Sequence, residues 1–390
     1  MKKRLALCLA AACLTAAFPS LAADRVKVGM VTTLSGPAGA PGIDVRDGFN
    51  LALKHLGGKI GGLNAEILTA DDAFNPETGK QAVDRFVKRD KVDLVTGIIY
   101  SNILLAAAPV AFDAKTPYLS PNAGPSQLAG KACSPWFSSS AWQNDNFHEA
   151  AGQLATDKGY KNTYLMAPNY PAGKDALTGF KRFYKGKVAD EVYVKLGQLD
   201  FAAELAQVRA AKPDAVYVFM PGGMGINFIK QYVAAGLSSS AVLILPGFGA
   251  DQDIIPAVGE SMLGLLNTAS WAPDMDNPEN KRFVEDFPKE YKRLPSVYAA
   301  QGYDAAMMMD AAVRAVKGKV EDRAALAKAL RTVKAKSVRG DYKMNVNGFP
   351  IQNYYLRIIS KDAQGRMTNK TLGTIFTNHG DAYAKECVSK

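Results

Sequence analysis

The chain has 390 residues, of which 48% are hydrophobic and 22% charged, and this balance excludes both a disordered chain and a collagen-like one. It is long enough to bury two cores of roughly 150–200 residues each. The 47 Lys and Arg residues outnumber the 37 Asp and Glu residues, so the formal charge is +10, which raises the question of an anionic partner such as nucleic acid or lipid.

The first 23 residues are typical of a secretory signal peptide. Residues 1–4 are positively charged, residues 5–18 are apolar, and a small-x-small site predicts cleavage after residue 22 or 23. The apolar run is too short to cross a bilayer, which takes about 20 residues. A lipoprotein signal is the less well supported alternative, because Ala10 stands where such a signal has a leucine before Cys13. We therefore expect a soluble, exported mature protein.

Removing this segment changes both the charge and the cysteine content. It takes away three positive charges and no acid, so the mature chain keeps a formal +7. The remaining basic residues are interspersed with acids and form no recognition-helix motif, so nucleic-acid binding is not predicted.

Two cysteines remain in the mature chain, Cys133 and Cys387, and an oxidising compartment favours a disulfide between them that ties down the C-terminal tail. Two buried free thiols are the alternative.

From residue 24 onward, short runs rich in Val, Ile and Tyr alternate with amphipathic stretches, a pattern typical of βαβ units around a parallel sheet. A first series predicts strands over 26–31, 65–69, 92–99 and 117–120. Its helices are predicted over 44–56, 76–89 and 102–112, and we expect Pro109 to shorten or kink the last of them.

A Ser-rich extended stretch over 133–140 is interpreted as a crossover to a second series. That series predicts strands over 162–167, 191–194, 215–220, 242–245 and 263–268, and helices over 174–184, 203–210, 225–235 and 251–258. Further helices are predicted over 280–292, 297–316 and 322–332, followed by a terminal hairpin of 352–359 with 371–376. Two series of similar size indicate two lobes.

Enzyme motifs are absent from the sequence. It contains no Gly-x-Ser-x-Gly turn and no His-Glu-x-x-His, and its three histidines, His55, His148 and His379, fall on different parts of the chain. Glycines in 124–131 and 221–225 match neither a phosphate loop nor a dinucleotide fingerprint, and are better explained as tight turns from strand into helix. We therefore expect no catalysis, no cofactor and no metal site.

In open parallel sheets, ligands bind beyond the carboxyl ends of the strands, where helix N-termini offer free N–H groups to anions. The loops that follow the strands of the first series are small and polar, and include 33–37, 100–102 and 122–126. The corresponding loops of the second series, 169–173, 219–223 and 247–249, are mostly aromatic and apolar. These loops are the candidate ligand-binding segments.

Five motifs occur in order along the mature chain: V-K-V-G-M-V-T-T-L-S-G-P-A-G at 26–39, D-D-A-F-N-P-E-T at 71–78, S-P-N-A-G at 120–124, Q-N-D at 143–145 and G-Y-D-A at 302–305. Together they resemble the periplasmic substrate-binding proteins of the branched-chain amino acid (Leu/Ile/Val) ABC transporter type. The resemblance covers essentially the whole mature chain. It implies an α/β, type I periplasmic-binding-protein fold, with two Rossmann-like lobes of parallel sheets joined by a three-strand hinge. The expected division is a signal peptide over 1–23, lobe I over 24–141 plus 270–344, and lobe II over 142–269 plus 345–390.

The resemblance also implies roles for individual residues. The family's carboxylate-binding positions correspond to Ser101, to Ala123 and to Gly124 or Pro125, and its second-lobe tyrosine corresponds to Tyr170. Each of the first-lobe positions lies in a loop that the strand pattern already marks as a backbone-donor site for an anion.

One departure from the family pattern concerns the ligand's amino group. The family's ammonium-binding acid lies in a Gly-Pro-Glu-Gly segment, whereas this chain has Pro246-Gly247-Phe248-Gly249. Phe248 carries no charge, and a buried ammonium without a partner would cost several kcal/mol. An α-amino acid ligand is therefore not expected unless Asp251 reaches the site.

We expect instead a carboxylate with a flat, apolar body, as in the subgroup of these proteins that takes up benzoate- or cinnamate-like acids. The residues expected to line its site are Tyr100, Ser101, Asn122, Ala123, Gly124, Trp142, Tyr170, Phe219, Met220 and Phe248. Gln143 is expected to add a polar handle for a ring hydroxyl. The expected partner is the membrane permease of an ABC transporter, to which a monomer delivers its cargo. A binder of branched-chain amino acids, amides or aliphatic acids stays the alternative, and an exported hydrolase or lyase is a more remote one.

Overall fold

The computed structural model describes residues 24–388, and the predicted signal peptide lies outside them. The first part of the chain forms strands β1 (Arg25–Thr32), β2 (Lys59–Ile60), β3 (Leu63–Asp71), β4 (Leu94–Thr96), β5 (Tyr118–Ser120) and β6 (Phe137–Ser139). The helices between them are α1 (Ala40–His55), α2 (Pro76–Lys88), α3 (Ser101–Asp113) and α4 (Ser126–Ala129). The strands form one sheet in the order β2-β3-β1-β4-β5-β6, parallel except for the β2–β3 pair.

The second part contains strands β7 (Asn162–Pro168), β8 (Lys187–Val194), β9 (Ala215–Val218), β10 (Val242–Pro246) and β11 (Leu266–Ala269). Its helices are α5 (Asp145–Asp157), α6 (Pro171–Phe183), α7 (Ala202–Ala211), α8 (Gly223–Ala234) and α9 (Ile255–Val258). The C-terminal part adds α10 (Pro278–Tyr291), α11 (Val297–Ala315), α12 (Arg323–Leu330), β12 (Lys343–Met344), β13 (Pro350–Lys361) and β14 (Met367–His379). The second sheet has the order β12-β13-β11-β10-β9-β7-β8, and β14 pairs with β13 as a hairpin.

The helices divide between two lobes in a way that chain order alone does not suggest. Helices α10 and α11 pack on α1, and α12 packs on α11 and β6, so all three cover the first sheet although they follow the second in sequence. Helix α5 packs on α6, β10 and β11 of the second sheet. The chain therefore crosses between the sheets three times: after β6, after β11 and after α12. The predicted α/β architecture of two lobes with largely parallel sheets is confirmed.

Burial follows from this layering. Every side chain of β9 is fully buried, as expected for a central parallel strand that helices cover on both faces. In open parallel sheets, ligands bind beyond the carboxyl ends of such strands. No helix in the part of the chain that the structure describes is long and apolar enough to cross a membrane.

Three of the differences from the prediction have a structural reason. Pro109 lies inside α3 without ending it, because proline removes a single hydrogen bond and the helix continues to Asp113. The helix predicted over 251–258 is regular only in α9, where Pro256 occupies the first turn, the position that best tolerates its missing N–H. Helix α5 is absent from the predicted elements, because it follows the Ser-rich crossover directly and lies outside the strand-then-helix pattern.

A buried arginine joins the crossover segments. Arg339 Nε donates to Asp304 of α11 at 2.7 Å, and its Nη1 donates to the Ala141 carbonyl at 2.9 Å and to the Gln352 side chain. Asp304 also accepts a hydrogen bond from Ser337 Oγ at 2.7 Å. The aspartate of the G-Y-D-A motif therefore anchors α11 to the third crossover and does not face a ligand.

The predicted disulfide is present in the structure. Cys133 and Cys387 are bonded, with Cα atoms 5.5 Å apart and a sequence separation of 254 residues. The bond links the segment after α4 to the C-terminal tail, which Asn347 also holds by donating from Nδ2 to Asp381 at 3.0 Å.

Removal of this disulfide should lower the stability of the folded protein. We expect the Cys133→Ser/Cys387→Ser double variant to lose about 2–4 kcal/mol of unfolding free energy, because the bond closes a very long loop in the unfolded chain. Urea unfolding of both proteins under non-reducing conditions measures this difference. Wild-type protein in excess dithiothreitol should match the variant, and equal stability of all three samples would contradict the prediction.

Candidate functional site

A cavity lies between the two lobes, at the carboxyl ends of strands from both sheets. It contains about 360 Å³ of space between protein atoms, part of which is open to solvent. It is lined by Ile99, Tyr100, Ser101, Asn122, Trp142, Asn144, His148, Tyr170, Ala172, Phe219, Pro221, Phe248 and Tyr298. None of these lining residues carries a carboxylate, an ammonium or a guanidinium group.

One end of the cavity is built to donate hydrogen bonds. Helix α3 begins at Ser101, and its N-cap, Tyr100, is extended and makes no side-chain capping bond. The N–H groups of residues 103 and 104 donate to the Tyr100 carbonyl, whereas those of Ser101 and Asn102 have no partner among the described residues. Unpaired first-turn N–H groups carry the positive end of the helix dipole. This end therefore suits an anion.

The Ser101 hydroxyl adds a further donor to that end. Its Oγ accepts a hydrogen bond from Asn144 Nδ2 at 3.1 Å, which leaves the hydroxyl proton available. Asn122 lies beside it and donates from Nδ2 to the Ile99 carbonyl at 2.8 Å, so its Oδ1 is an acceptor without a partner in residues 24–388.

Asn144 and Asp175 connect the lobes next to this end. Asp175 of α6 accepts hydrogen bonds from the Ser126 backbone N–H at 3.0 Å, from Ser126 Oγ at 2.7 Å and from Asn144 Nδ2 at 2.9 Å. Burial raises the pKa of Asp175, and these hydrogen bonds oppose the rise. Since Ser126 belongs to α4 and Asp175 to α6, the bonds hold the two lobes together over the cavity.

The other walls of the cavity are aromatic. The Trp142 and Phe248 rings meet edge to face with centroids 4.7 Å apart, and Phe219 lies 5.8 Å from Phe248. Tyr170 is nearly parallel to Phe219 at 6.3 Å, and Tyr298 of α11 lies 5.7 Å from Phe248. Such faces and edges favour a flat apolar group.

Asp251, the acid that the sequence offers for an amino group, does not line the cavity. Its Oδ2 lies 3.0 Å from Arg357 Nη1, and its Oδ1 accepts a hydrogen bond from the Val297 N–H at 3.1 Å. The carboxylate is therefore already paired with a buried guanidinium. Phe248 lies in the cavity wall, where it offers no charge to a ligand.

The structure brings most of the predicted site residues together and leaves others out. The cavity is lined by the predicted residues Tyr100, Ser101, Asn122, Trp142, Tyr170, Phe219 and Phe248. Ala123 and Gly124 lie behind the wall, and the Gly124 N–H, expected to bind an anion, donates instead to Asn144 Oδ1 at 2.9 Å. Gln143 is used within the protein, since its Nε2 donates to Asp145 at 2.9 Å.

Met220 also lies outside the cavity. It packs in a separate apolar core with Phe228 and Ile254, whereas Phe219 faces the ligand site. Neighbouring residues on extended backbone point to opposite sides, so Phe219 and Met220 cannot both face one cavity.

Six lining residues are not among the site residues that the sequence predicts: Ile99, Asn144, His148, Ala172, Pro221 and Tyr298. His148 lies near the start of α5, which follows the first crossover, and Tyr298 lies near the start of α11, which follows α10. The rule that ligands bind in loops directly after strands does not reach them. Helix α5 itself had a signal, because Phe147, Ala151 and Leu154 recur with helical spacing.

Comparison with known proteins is consistent with this architecture. Residues 25–364 match the family described as periplasmic binding protein. Leu/Ile/Val-binding protein homolog 6 from Brucella melitensis is 29% identical over 374 residues, which are 92% of this chain and 93% of the relative. The leucine-binding protein LivK from Thermotoga maritima shares the fold, with 24% identity, a TM-score of 0.78 and coverage of 88% of this chain and 97% of the other.

Solved structures that resemble this chain include complexes with aromatic acids. An ABC-transporter solute-binding protein from R. palustris in complex with benzoate is 30% identical, with a TM-score of 0.88 over 93% of this chain and 99% of the other. A second one from R. palustris, in complex with 4-hydroxybenzoate, is 27% identical, with a TM-score of 0.86 over 92% and 99%. These structures confirm the type I fold that the motifs predicted. The chain belongs to the periplasmic binding protein family, among the relatives of the Leu/Ile/Val-binding proteins.

Proposed function

We propose that this protein is the solute-binding component of an ABC importer and captures a small aromatic carboxylate in the cavity between its lobes. The observation that carries the proposal is the polarity of that cavity. Unpaired N–H groups and a hydroxyl lie at one end, aromatic rings form the walls, and no charged side chain lines it. A carboxylate placed at Ser101 meets the positive end of α3, and a ring then lies against Tyr170, Phe219 and Phe248.

Branched-chain amino acids are the competing ligands, because the relatives include Leu/Ile/Val-binding protein homologues. Their ammonium group needs a buried acid or several acceptors. Asp251 is engaged by Arg357, and Asp175 is engaged by Ser126 and Asn144, so neither carboxylate is available to it. The buried carboxylate of Asp253 has no hydrogen-bond partner in residues 24–388, but it does not line the cavity. An unpaired ammonium in this cavity would cost several kcal/mol.

The remaining parts of the proposal concern how the protein works. Residues 1–23 direct export and are removed, and the mature chain acts in the periplasm as a monomer that hands its ligand to a permease. Binding without catalysis is its whole activity. We assign lobe I to 24–141 plus 270–344 and lobe II to 142–269 plus 345–390, and ligand binding stabilises the closed arrangement that Ser126 and Asp175 hold.

Ligand binding to unloaded protein tests the proposal. The mature protein is unfolded in guanidinium chloride, dialysed and refolded to remove any bound ligand, and then titrated calorimetrically with benzoate, 4-hydroxybenzoate, cinnamate and leucine. We expect at least one aromatic acid to bind and to raise the melting temperature, since a ligand at 100 times its Kd adds about 2.7 kcal/mol of stability. Leucine should have no effect.

Two tyrosines provide a matched pair of variants. Tyr170→Ala removes a cavity wall and should weaken binding of the aromatic acid at least tenfold, whereas Tyr193→Ala removes a surface tyrosine and should not. Tight binding of leucine with no response to any aromatic acid would refute the proposal in favour of the amino-acid alternative.

A further inference from the structure

His148 is the one imidazole that lines the cavity within residues 24–388. It lies on α5, is almost fully buried, and is surrounded by Phe219 at 5.0 Å and Phe248 at 6.2 Å between ring centroids. Its Nδ1 is hydrogen-bonded to the Tyr217 hydroxyl, behind the cavity wall. Its Nε2 has no hydrogen-bond partner among the described residues.

The Tyr217 contact determines which ring nitrogen carries the proton. Tyr217 is fully buried, and in the described part of the chain His148 Nδ1 is the only group to which its hydroxyl is hydrogen-bonded. A buried O–H that donates to nothing is costly, so Tyr217 donates and Nδ1 accepts. The proton of the neutral imidazole is then on Nε2. Burial lowers the pKa of His148 to about 3, so the ring is a neutral donor at periplasmic pH.

The position of His148 along α5 relates it to the anion-binding end. Asn144, the N-cap of α5, donates to Ser101 Oγ, and His148 follows it by four residues, about 6 Å along a helix. Residues four apart lie on the same face of a helix, and Asn144 and His148 both line the cavity. The carboxylate belongs at the Ser101 end, because a neutral imidazole offers one N–H and no charge, whereas α3 offers several donors and a dipole.

We propose that His148 Nε2–H donates a hydrogen bond to a hydroxyl oxygen on the ring of the bound acid, which makes hydroxybenzoates the preferred class of ligand. This inference rests on the proposed function and adds the substituent that the site selects. Benzoate itself would leave the Nε2–H buried and unpaired. We therefore expect its Kd to be roughly ten to a hundred times higher than that of the best hydroxybenzoate.

The experiment compares benzoate with 2-, 3- and 4-hydroxybenzoate by calorimetric titration of wild-type, His148→Phe and His148→Gln proteins. Wild type should prefer the 3- or 4-hydroxy acid over benzoate at least tenfold. His148→Phe should abolish that preference while still binding benzoate, and His148→Gln should restore part of it through its amide donor. His55→Phe, which removes a second His–Tyr pair outside the cavity, should leave the preference unchanged.

The possible outcomes separate this inference from the proposed function. Equal affinity of wild type for benzoate and all three hydroxybenzoates would overturn the role of His148 while supporting an aromatic acid binder. Equal losses of benzoate and hydroxybenzoate in a folded His148→Phe protein would place the carboxylate at His148 and also overturn it. A preference for 2-hydroxybenzoate that survives His148→Phe would assign the hydroxyl to Asn122 instead. Failure of every aromatic acid to bind wild type would overturn the proposed function and this inference together.

Discussion

Replacing Ser101 with aspartate should abolish binding of aromatic acids without unfolding the protein. The new carboxylate would lie at the start of α3, where the unpaired N–H groups and Asn144 Nδ2 would hydrogen-bond to it. It would take the place of the ligand's own carboxylate. Two like charges 4 Å apart repel by about 4 kcal/mol at an effective dielectric constant of 20, so we expect the Kd to rise at least a hundredfold. An acid in the first turn of a helix is itself stabilising, so the melting temperature of the unloaded protein should be unchanged or higher.

Two further variants separate the charge effect from other causes. Ser101→Ala removes one hydroxyl donor and should weaken binding tenfold or less, because a single hydrogen bond contributes about 0.5–1.5 kcal/mol. Asn75→Asp adds the same charge at the N-cap of α2, another 13-residue helix in the same part of the chain. Because Asn75 is exposed and salt screens the added charge, this variant should bind the acid as wild type does. Calorimetric titration with the best aromatic acid measures all three proteins. Binding by Ser101→Asp within a few fold of wild type would show that the carboxylate does not bind at α3.

The regular elements could be predicted where the pattern of residues was local. The strand expected over 26–31 is β1, and the terminal hairpin is β13 with β14, because each is a short run of β-branched and aromatic residues between polar turns. The lobe to which each helix belongs could not be predicted from the local pattern of residues. Helices α10 to α12 return to the first sheet only because the chain crosses back after β11, and this follows from the family resemblance and not from periodicity.

The site was predictable to the extent that it consists of residues directly after strands. Tyr100, Tyr170 and Phe248 were found in this way, because parallel strands end at the same edge of each sheet. Gly124 was assigned an anion that it does not contact, since its N–H is used by Asn144, twenty residues further along the chain. His148 was given no role, because nothing in the sequence indicates that Tyr217 fixes its proton on Nε2.

Loss of Arg357 should destabilise the folded protein severely, because it leaves a buried charge unpaired. Arg357 is fully buried on β13, with Nη1 3.0 Å from Asp251 Oδ2, Nε donating to Asn267 at 2.8 Å and Nη1 donating to the Trp271 carbonyl at 2.8 Å. Burial raises the pKa of Asp251 and lowers that of Arg357, and each charge opposes the shift of the other. In Arg357→Met, the Asp251 carboxylate would stay buried without its counter-charge. We expect a loss of about 3–5 kcal/mol in the free energy of unfolding.

Urea unfolding monitored by circular dichroism measures this loss. Two other variants show whether it comes from the unpaired charge. Arg366→Met breaks an ion pair with Asp362 in which the Arg366 side chain is 50% exposed. This variant should lose less than about 1 kcal/mol of unfolding free energy. The double variant Arg357→Met/Asp251→Asn removes both buried charges and should regain part of the stability, because the cost of Arg357→Met comes mainly from the carboxylate left unpaired. If Arg357→Met were no more destabilising than Arg366→Met, the buried pair would contribute nothing to the fold. If the double variant lost as much unfolding free energy as the two single variants together, the loss would come from the packing of Arg357 against Asn267 and Trp271 and not from its charge.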